Sequence, residues 1–522
     1  MTLTPEITEP SSATGSSPDS SPTASTTAGQ DDLARRSATG FEVFGQSLAA
    51  TGPSIAIAGT VAIVFLSAGR GVIWSYVLAT FVVVLVGYSI AVFARRTAAA
   101  GSLYTYTASG LGRGTAFAGG WGLIFGYLGI AAACLAGAAL YLGAFITKLG
   151  VNGESRAWQI PLIVAFLVLA EALTIRGIRI STHVAVVLEI VSLVAIGVLV
   201  VALFVHYGAH FDTGQLKATG SSATGIALGT VLAVGAFVGF ESSASLGIEA
   251  KNPHRAIPRA ILFTALAAGI LYIVSAYAQV LGFPTPAALA AESAPLNGLA
   301  STAGIGWLAY YLDLAVAVSA FGVVAASLNA AARGLYSLGR EEILPKDFAR
   351  SHSTYKTPHV ALLVLGPVAV AAPVILVAEG ITPLDIFGYI GTVASYGYLL
   401  AYVLVAISAP IFLARRKVLT PLPVVVSVLA TAAIGYVIYK NLVPVPAAPY
   451  DYFPYVFVAW VVIGLAWYLV LKVRDPARAA KLGTFQEQAE ADLESRIAAE
   501  LTIEAPGAER TVTALGAEAP PA

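Results

Sequence analysis

The chain has 522 residues, of which 57% are hydrophobic and only 11% charged. Its 29 basic and 29 acidic residues cancel, so nothing in the charge balance favours a nucleic acid partner, and no soluble domain needs so much apolar surface. One cysteine, Cys134, excludes any intramolecular disulfide framework and reads as a small core residue.

Residues 1–40 are rich in Ser, Thr, Ala and Pro with almost no large apolar side chains, a composition that cannot offset the entropy of ordering and predicts a disordered cytoplasmic tail. No basic stretch leads directly into a short apolar one there, so no cleaved signal peptide is expected and the first span itself directs insertion. A spanning helix takes roughly 20 apolar residues. Twelve such runs lie between Phe41 and Lys472. The first six fall near 43–67, 72–94, 114–147, 159–176, 182–206 and 225–248. The second six fall near 259–282, 307–334, 358–378, 383–413, 422–440 and 453–472. Beyond them, 473–522 turn charged and Ala/Glu-rich and read as a cytoplasmic C-terminal tail, with Phe485 to Leu501 able to form a surface helix.

With both termini inside, the internal segments hold 24 of the Lys and Arg residues and the external loops 5. Because basic residues near helix ends stay cytoplasmic, this orientation is preferred over its inverse.

Spans 1 and 6 are interrupted, at Ala50 to Ser54 and at Gly235 to Glu241, and each opens a set of five spans. An odd number turns the second set upside down. The expected fold is therefore an all-α integral membrane protein with a five-plus-five inverted repeat, 41–207 and 225–413, and a peripheral pair at 422–472. Paired Gly/Pro-interrupted spans mark the substrate site of many secondary transporters. Pro53 donates no backbone hydrogen bond and disfavours helical geometry at Gly52. The freed amides of Ser54 and Ile55 suit an anionic group, and the freed carbonyls of Ala49 and Ala50 suit an ammonium. In span 6 the carbonyls of Ala236 and Phe237 offer the same, with Gly239 permitting the break. A kink made only for close packing is the alternative.

Glu241 is an intramembrane carboxylate, which costs about 2.5–3.5 kcal/mol on insertion scales and calls for a partner or a wet cavity. It is expected either to load and release a proton or to hold the break open by hydrogen bonding. Asp313 in span 8 is a weaker candidate, able to pair with a cationic substrate. Glu189 in span 5 and Glu171 beside Arg176 and Arg179 read as structural pairs. Ser319 and Asn329 in span 8 are candidates to approach the first break. His206 and His210 have the i, i+4 spacing of a metal pair but fall at an external helix end, so no metal site is expected. No Walker-type phosphate loop appears, and no cofactor is expected.

Phe237 to Ile261, with Phe-Val-Gly-Phe-Glu-Ser-Ser at its start and Lys-Asn-Pro-His-Arg-Ala-Ile-Pro-Arg near its end, resembles the helix 6 region of amino acid permeases in the amino acid-polyamine-organocation superfamily. Gly101, Tyr104 and Tyr106 with Leu111-Gly112, and Arg333 to Pro358 with Leu344-Pro345 and Thr357-Pro358, resemble its segments before helix 3 and after helix 8. The resemblance covers about residues 41–472. It implies that spans 1, 2, 6 and 7 rock against 3, 4, 8 and 9 and that amino acids or amines are carried, often with protons or in exchange. It places substrate at Thr51, Gly52, Pro53, Ser54, Phe237, Gly239 and Phe240, and proton coupling or pH sensing at Glu241. Thr51-Gly52-Pro53-Ser54 replaces the Gly-Ser-Gly of many relatives, and span 5 lacks the lysine of some proton-driven ones.

The expectation is a non-enzymatic permease of the bacterial plasma membrane that moves a small amino acid or amine by alternating access, with proton-coupled uptake and the lipid bilayer as its surroundings. An amine or polyamine exchanger or exporter, relying on Glu241, Asp313 and Phe240, is the alternative, followed by a transport-dead sensor. Substrate identity and oligomeric state stay open.

Overall fold

A computed structural model of the protein describes residues 36–98, 101–208, 212–283, 285–290, 292, 294–445 and 447–484. The first 35 residues of the N-terminal tail, the expected helix at 485–501 and His210 of the histidine pair lie outside these residues.

The fold is all α, and its first break follows from two residues. Helix α1 (Gly40–Thr51) starts at a capping box made by Thr39 and Glu42, ends at Gly52 in a left-handed conformation (φ 54°, ψ 62°), and α2 (Pro53–Ala68) begins on the proline. One 3-10 turn, Gly69–Gly71, leads into α3 (Val72–Ala94). A short helix that hydropathy does not reveal, α4 (Leu103–Leu111), precedes α5 (Arg113–Lys148), whose 36 residues make it the longest helix among the described residues. At 1.5 Å per residue α5 runs about 54 Å, well beyond the roughly 30 Å hydrocarbon core. Then come α6 (Arg156–Ile175), α7 (Ile178–His206) and the single turn α8 (Thr213–Leu216).

The second break interrupts span 6. Helix α9 (Ala223–Gly235) ends in a turn that carries Gly239 at φ 94°, and a 3-10 turn, Ser242–Leu246, completes the segment. Next are α10 (Pro253–Gly282), the short α11 (Pro286–Ala290) and α12 (Pro295–Thr302), and α13 (Leu308–Arg340). Helices α14 (His359–Glu379), α15 (Pro383–Arg415), α16 (Pro421–Leu442), α17 (Phe453–Arg474) and the turn α18 (Pro476–Ala479) follow. Among the described residues, ten stretches are long and apolar enough to cross a membrane, one of them the broken 55-residue run Gly40–Ala94. The protein is thus a multi-pass membrane protein.

Helices α5 and α13 form the interior, with 83% and 89% of their most apolar windows buried, whereas α17 buries only 17% of its own and leaves Val458, Val462 and Ile463 outward. Trp121 of α5 and Trp460 of α17 stack at 4.6 Å and exchange indole-to-carbonyl hydrogen bonds of 3.0 Å, fixing that outer helix to the centre. Two spans exceed their sequence limits by six residues. Helix α10 starts at Pro253 rather than 259, because proline is well placed at a first helical position. Helix α13 runs six residues past 334 because Arg333, which reads as a helix-end charge, is fully buried: its guanidinium pairs with Glu249 at 2.6 and 3.0 Å and with Asn329 Oδ1 at 2.7 Å. Removing one partner of such a pair leaves an uncompensated charge and costs about 3–5 kcal/mol. Arg333→Ala is accordingly expected to lower the thermal unfolding temperature in detergent far more than Arg350→Ala, whose side chain is 66% exposed.

The ordered fold begins before the first span. Ala38 is fully buried in a bridge with Ala250, its amide donating to Glu249 O at 2.8 Å and its carbonyl accepting from Lys251 at 2.8 Å. At the other end, Arg478 donates to Glu342 O, and the Lys481 ammonium bonds the Glu342 carboxylate at 2.7 Å and holds its carboxyl below the ordinary glutamate range. Residues 36–40 and 473–484, read from sequence as tail, therefore dock on the helical body.

Candidate functional site

The two breaks meet. A Cβ built on Gly239 would lie 2.5 Å from Ala50 O and 2.8 Å from its carbonyl carbon, so the second break lies directly on the first and only glycine fits there. Gly52 is equally confined, with Val323 of α13 2.1 Å from any added Cβ. Ser242 Oγ donates to Gln46 O at 3.0 Å, the Ser243 amide donates to Ser47 Oγ at 3.2 Å, and Gln46 reaches Ala326 O at 2.9 Å. These bonds tie the end of α1 to the second break and to α13.

Beside the junction is a cavity of about 220 Å³. Ala50, Thr51, Ile55 and Ala236 line it, with Val323, Phe387 of α15 and Cys134 of α5. No Asp, Glu, Lys, Arg or His is among its lining residues. Its hydroxyls are mostly spent: Thr51 donates to Ser47 O, Thr392 to Gly388 O and Ser395 to Gly391 O. The other residues singled out in the sequence, Gly52, Pro53, Ser54, Phe237, Gly239 and Phe240, shape the breaks without lining the cavity. Phe237 packs edge-on against Tyr272 at 4.9 Å and Phe240 against Tyr402 at 5.6 Å.

The amides freed by Pro53 are in use. Ser54 donates from both N and Oγ to Glu189 of α7, at 2.9 and 2.8 Å, and the Ile55 amide donates to Ser319 Oγ at 3.3 Å. Ser319 is thus the span 8 candidate that reaches the break. Asn329 does not, since it bonds Arg333 and Ser181. Of the carbonyls in the second break, Ala236 O accepts from the Tyr272 hydroxyl at 2.7 Å and Phe237 O from the Phe240 amide.

Glu241 is fully buried, yet it is not on the cavity wall. Tyr127 of α5 donates to one carboxylate oxygen at 2.8 Å and Tyr402 of α15 to the other at 2.5 Å, joined by the amide of Gly239. It therefore binds the second break to the two helices on its far side. Asp313 is buried against the Lys148 ammonium and accepts from Asn297 at 2.7 Å, so its partner is within the protein. Glu171 packs against Gly366 of α14, away from the breaks. Sequence reasoning missed Tyr127, Tyr272 and Tyr402 because tyrosine is also common at membrane interfaces, and it missed the cavity position of Cys134 because a small residue carries no directional signal.

The sequence profile of a family described as amino acid permease matches residues 41–466. The chain belongs to the amino acid permease family. This permease is 26% identical over 364 residues to the branched-chain amino acid permease BcaP of Bacillus subtilis, covering 67% of this chain and 75% of that one. An uncharacterized transporter of Mycobacterium tuberculosis is 31% identical over 346 residues, 66% of this chain and 73% of its own. The low-affinity putrescine importer PlaP of Escherichia coli is 27% identical over 310 residues, 57% of the permease and 66% of its own length. The permease is thereby placed among the transporters of the amino acid-polyamine-organocation superfamily rather than among enzymes.

Proposed function

We propose that this permease carries a small amino acid or amine across the bacterial plasma membrane as a secondary transporter, cycling by alternating access with proton-coupled uptake. The observation that carries the reading is the junction of two broken spans, Gly239 on Ala50, beside a largely apolar cavity. At 220 Å³ the cavity falls below the roughly 300–1,000 Å³ of pockets for drug-sized ligands, which restricts its occupant to a small molecule. Relatives named for branched-chain amino acids and for putrescine bracket the substrate range.

Helix pairing supports twelve crossings with a five-plus-five repeat. Helix α5 packs on α15 as α13 packs on α7, α3 packs on α9 as α10 packs on α1, and α5–α13, α3–α10 and α6–α14 pair across the repeat. With the termini inside, the buried Arg333–Glu249 pair and the Ala38–Ala250 bridge close the cytoplasmic side. The cavity, whose wall includes Tyr450 from the loop before α17, then points outward. In this reading Ala50, Thr51, Ile55 and Ala236 touch substrate, and Gly52, Pro53, Ser54, Phe237, Gly239 and Phe240 give the breaks their shape. Glu241 couples the proton.

The test is uptake of a labelled amino acid and amine panel into proteoliposomes with and without an inward proton gradient. Accumulation of one class, stimulated by the gradient, is the expected result. No flux of any member, by gradient or by counterflow, would remove the transport assignment.

A further inference from the structure

The first break has spent its donors and kept its acceptors. In an unbroken helix the amides of Pro53, Ser54 and Ile55 would face the carbonyls of Ala49, Ala50 and Thr51. Pro53 has no N–H, Ser54 donates to Glu189, and Ile55 donates to Ser319. The three carbonyls are left without those partners at the negative end of α1, and Ala50 and Thr51 are on the cavity wall. The opposite pole, the start of α2 where an anion would be received, already holds a carboxylate. Glu189 is 1% exposed, and it accepts from the Ser54 amide, the Ser54 hydroxyl and the Ser319 hydroxyl.

A ligand carboxylate has no seat here. It would have to displace Glu189 and Ser319 from the amides the break presents at Ser54 and Ile55, and no basic side chain lines the cavity to compensate it. Burying it unpaired is heavily unfavourable. A single ammonium group, by contrast, needs acceptors: Gly239 covers the carbonyl of Ala50, but Thr51, whose carbonyl has lost its Ile55 partner, is on the cavity wall. Outside Phe387 an adjoining space of about 200 Å³ shares Ile63, Phe387, Gly388 and Tyr450 with the cavity and is lined by Glu292 and Asp385. Both acids favour a cation at that entrance.

We infer that the ligand of the central cavity is a small primary amine without a carboxylate, and that Glu189 is the residue that sets this preference by occupying the anion seat on Ser54. The inference rests on the transport reading above and narrows its substrate class.

The experiment compares matched pairs that differ only in the carboxylate: 3-methylbutylamine with leucine, 2-methylpropylamine with valine, and phenethylamine with phenylalanine. Two readouts are used: uptake into proteoliposomes, and the rise in thermal unfolding temperature in detergent, which reports occupancy without requiring flux. In the native chain the amine of at least one pair is expected to enter about tenfold faster than its amino acid and to raise the unfolding temperature where the amino acid does not. Glu189→Gln keeps an acceptor for Ser54, binds it more weakly than a carboxylate would and can never ionise against a ligand carboxylate, so it is expected to raise uptake of the paired amino acid about tenfold.

Equal or better uptake of the amino acids by the native chain, unchanged in Glu189→Gln, would overturn the inference and leave the transport reading standing. Stabilisation by an amine without flux would support the inference and count against transport. Neither flux nor stabilisation with any compound would overturn both.

Discussion

Gly239→Ala is expected to abolish transport while leaving the protein folded in the membrane. The residue is in the left-handed region at φ 94°, where a side chain costs of order 1–3 kcal/mol, and its Cβ would also press on the backbone of Ala50 at 2.5 Å. A neighbouring side chain can rotate away from such a contact, but a carbonyl can move only with its helix. The second break would have to withdraw from the first, and the Ser242 and Ser243 bonds to Gln46 and Ser47 would go with it. A fall in counterflow activity of about 100-fold or more is expected, the equivalent of roughly 2.7 kcal/mol. Gly435→Ala in α16 is the control, because a Cβ there meets no heavy atom within 4 Å and the helix tolerates alanine. Transport by Gly239→Ala at the level of the control would show that contact between the breaks is dispensable.

Much of this architecture is legible in the sequence, and the part that is not has a physical cause. Lipid demands long apolar runs with internally satisfied backbones, so composition locates the spans: α3 is found at 72–94 from hydropathy alone. The breaks are equally visible, because Pro53 and the glycines at 52 and 239 are local instructions that act through the backbone. What hydropathy hides is any feature made by polar groups inside the bundle. Arg333 reads as a helix end because its neutralising partner, Glu249, is 84 residues away. Glu189 reads as a structural acid because nothing in the sequence of α7 shows that it reaches Ser54, 135 residues earlier. The amides of Ser54 and Ile55 read as freed by Pro53, and what the sequence cannot display is that the protein itself supplies their acceptors. Asp313, legible as an intramembrane charge, belongs with Lys148 across the fold and not with a ligand.

Glu241→Gln is expected to separate coupling from transport. The carboxylate holds the second break to α5 and α15 through Tyr127 and Tyr402, so a change in its charge acts on the contact that must loosen if that break is to move. Glutamine has the same shape, keeps an oxygen for one tyrosine and presents an amide to the other, so the latch survives but no longer titrates at this position. Gradient-driven accumulation should then fall to the level seen without a gradient, while exchange of internal for external substrate continues. Glu241→Ala differs: it strands two buried hydroxyls, each costing about 1–3 kcal/mol, and should lower thermal stability as well as flux. The comparison assigns the role. Loss in both variants of every form of transport would make Glu241 a structural latch. Undiminished gradient-driven accumulation in Glu241→Gln would mean that the proton is carried elsewhere, and among the described residues Glu189 is the other buried acid bonded to a break.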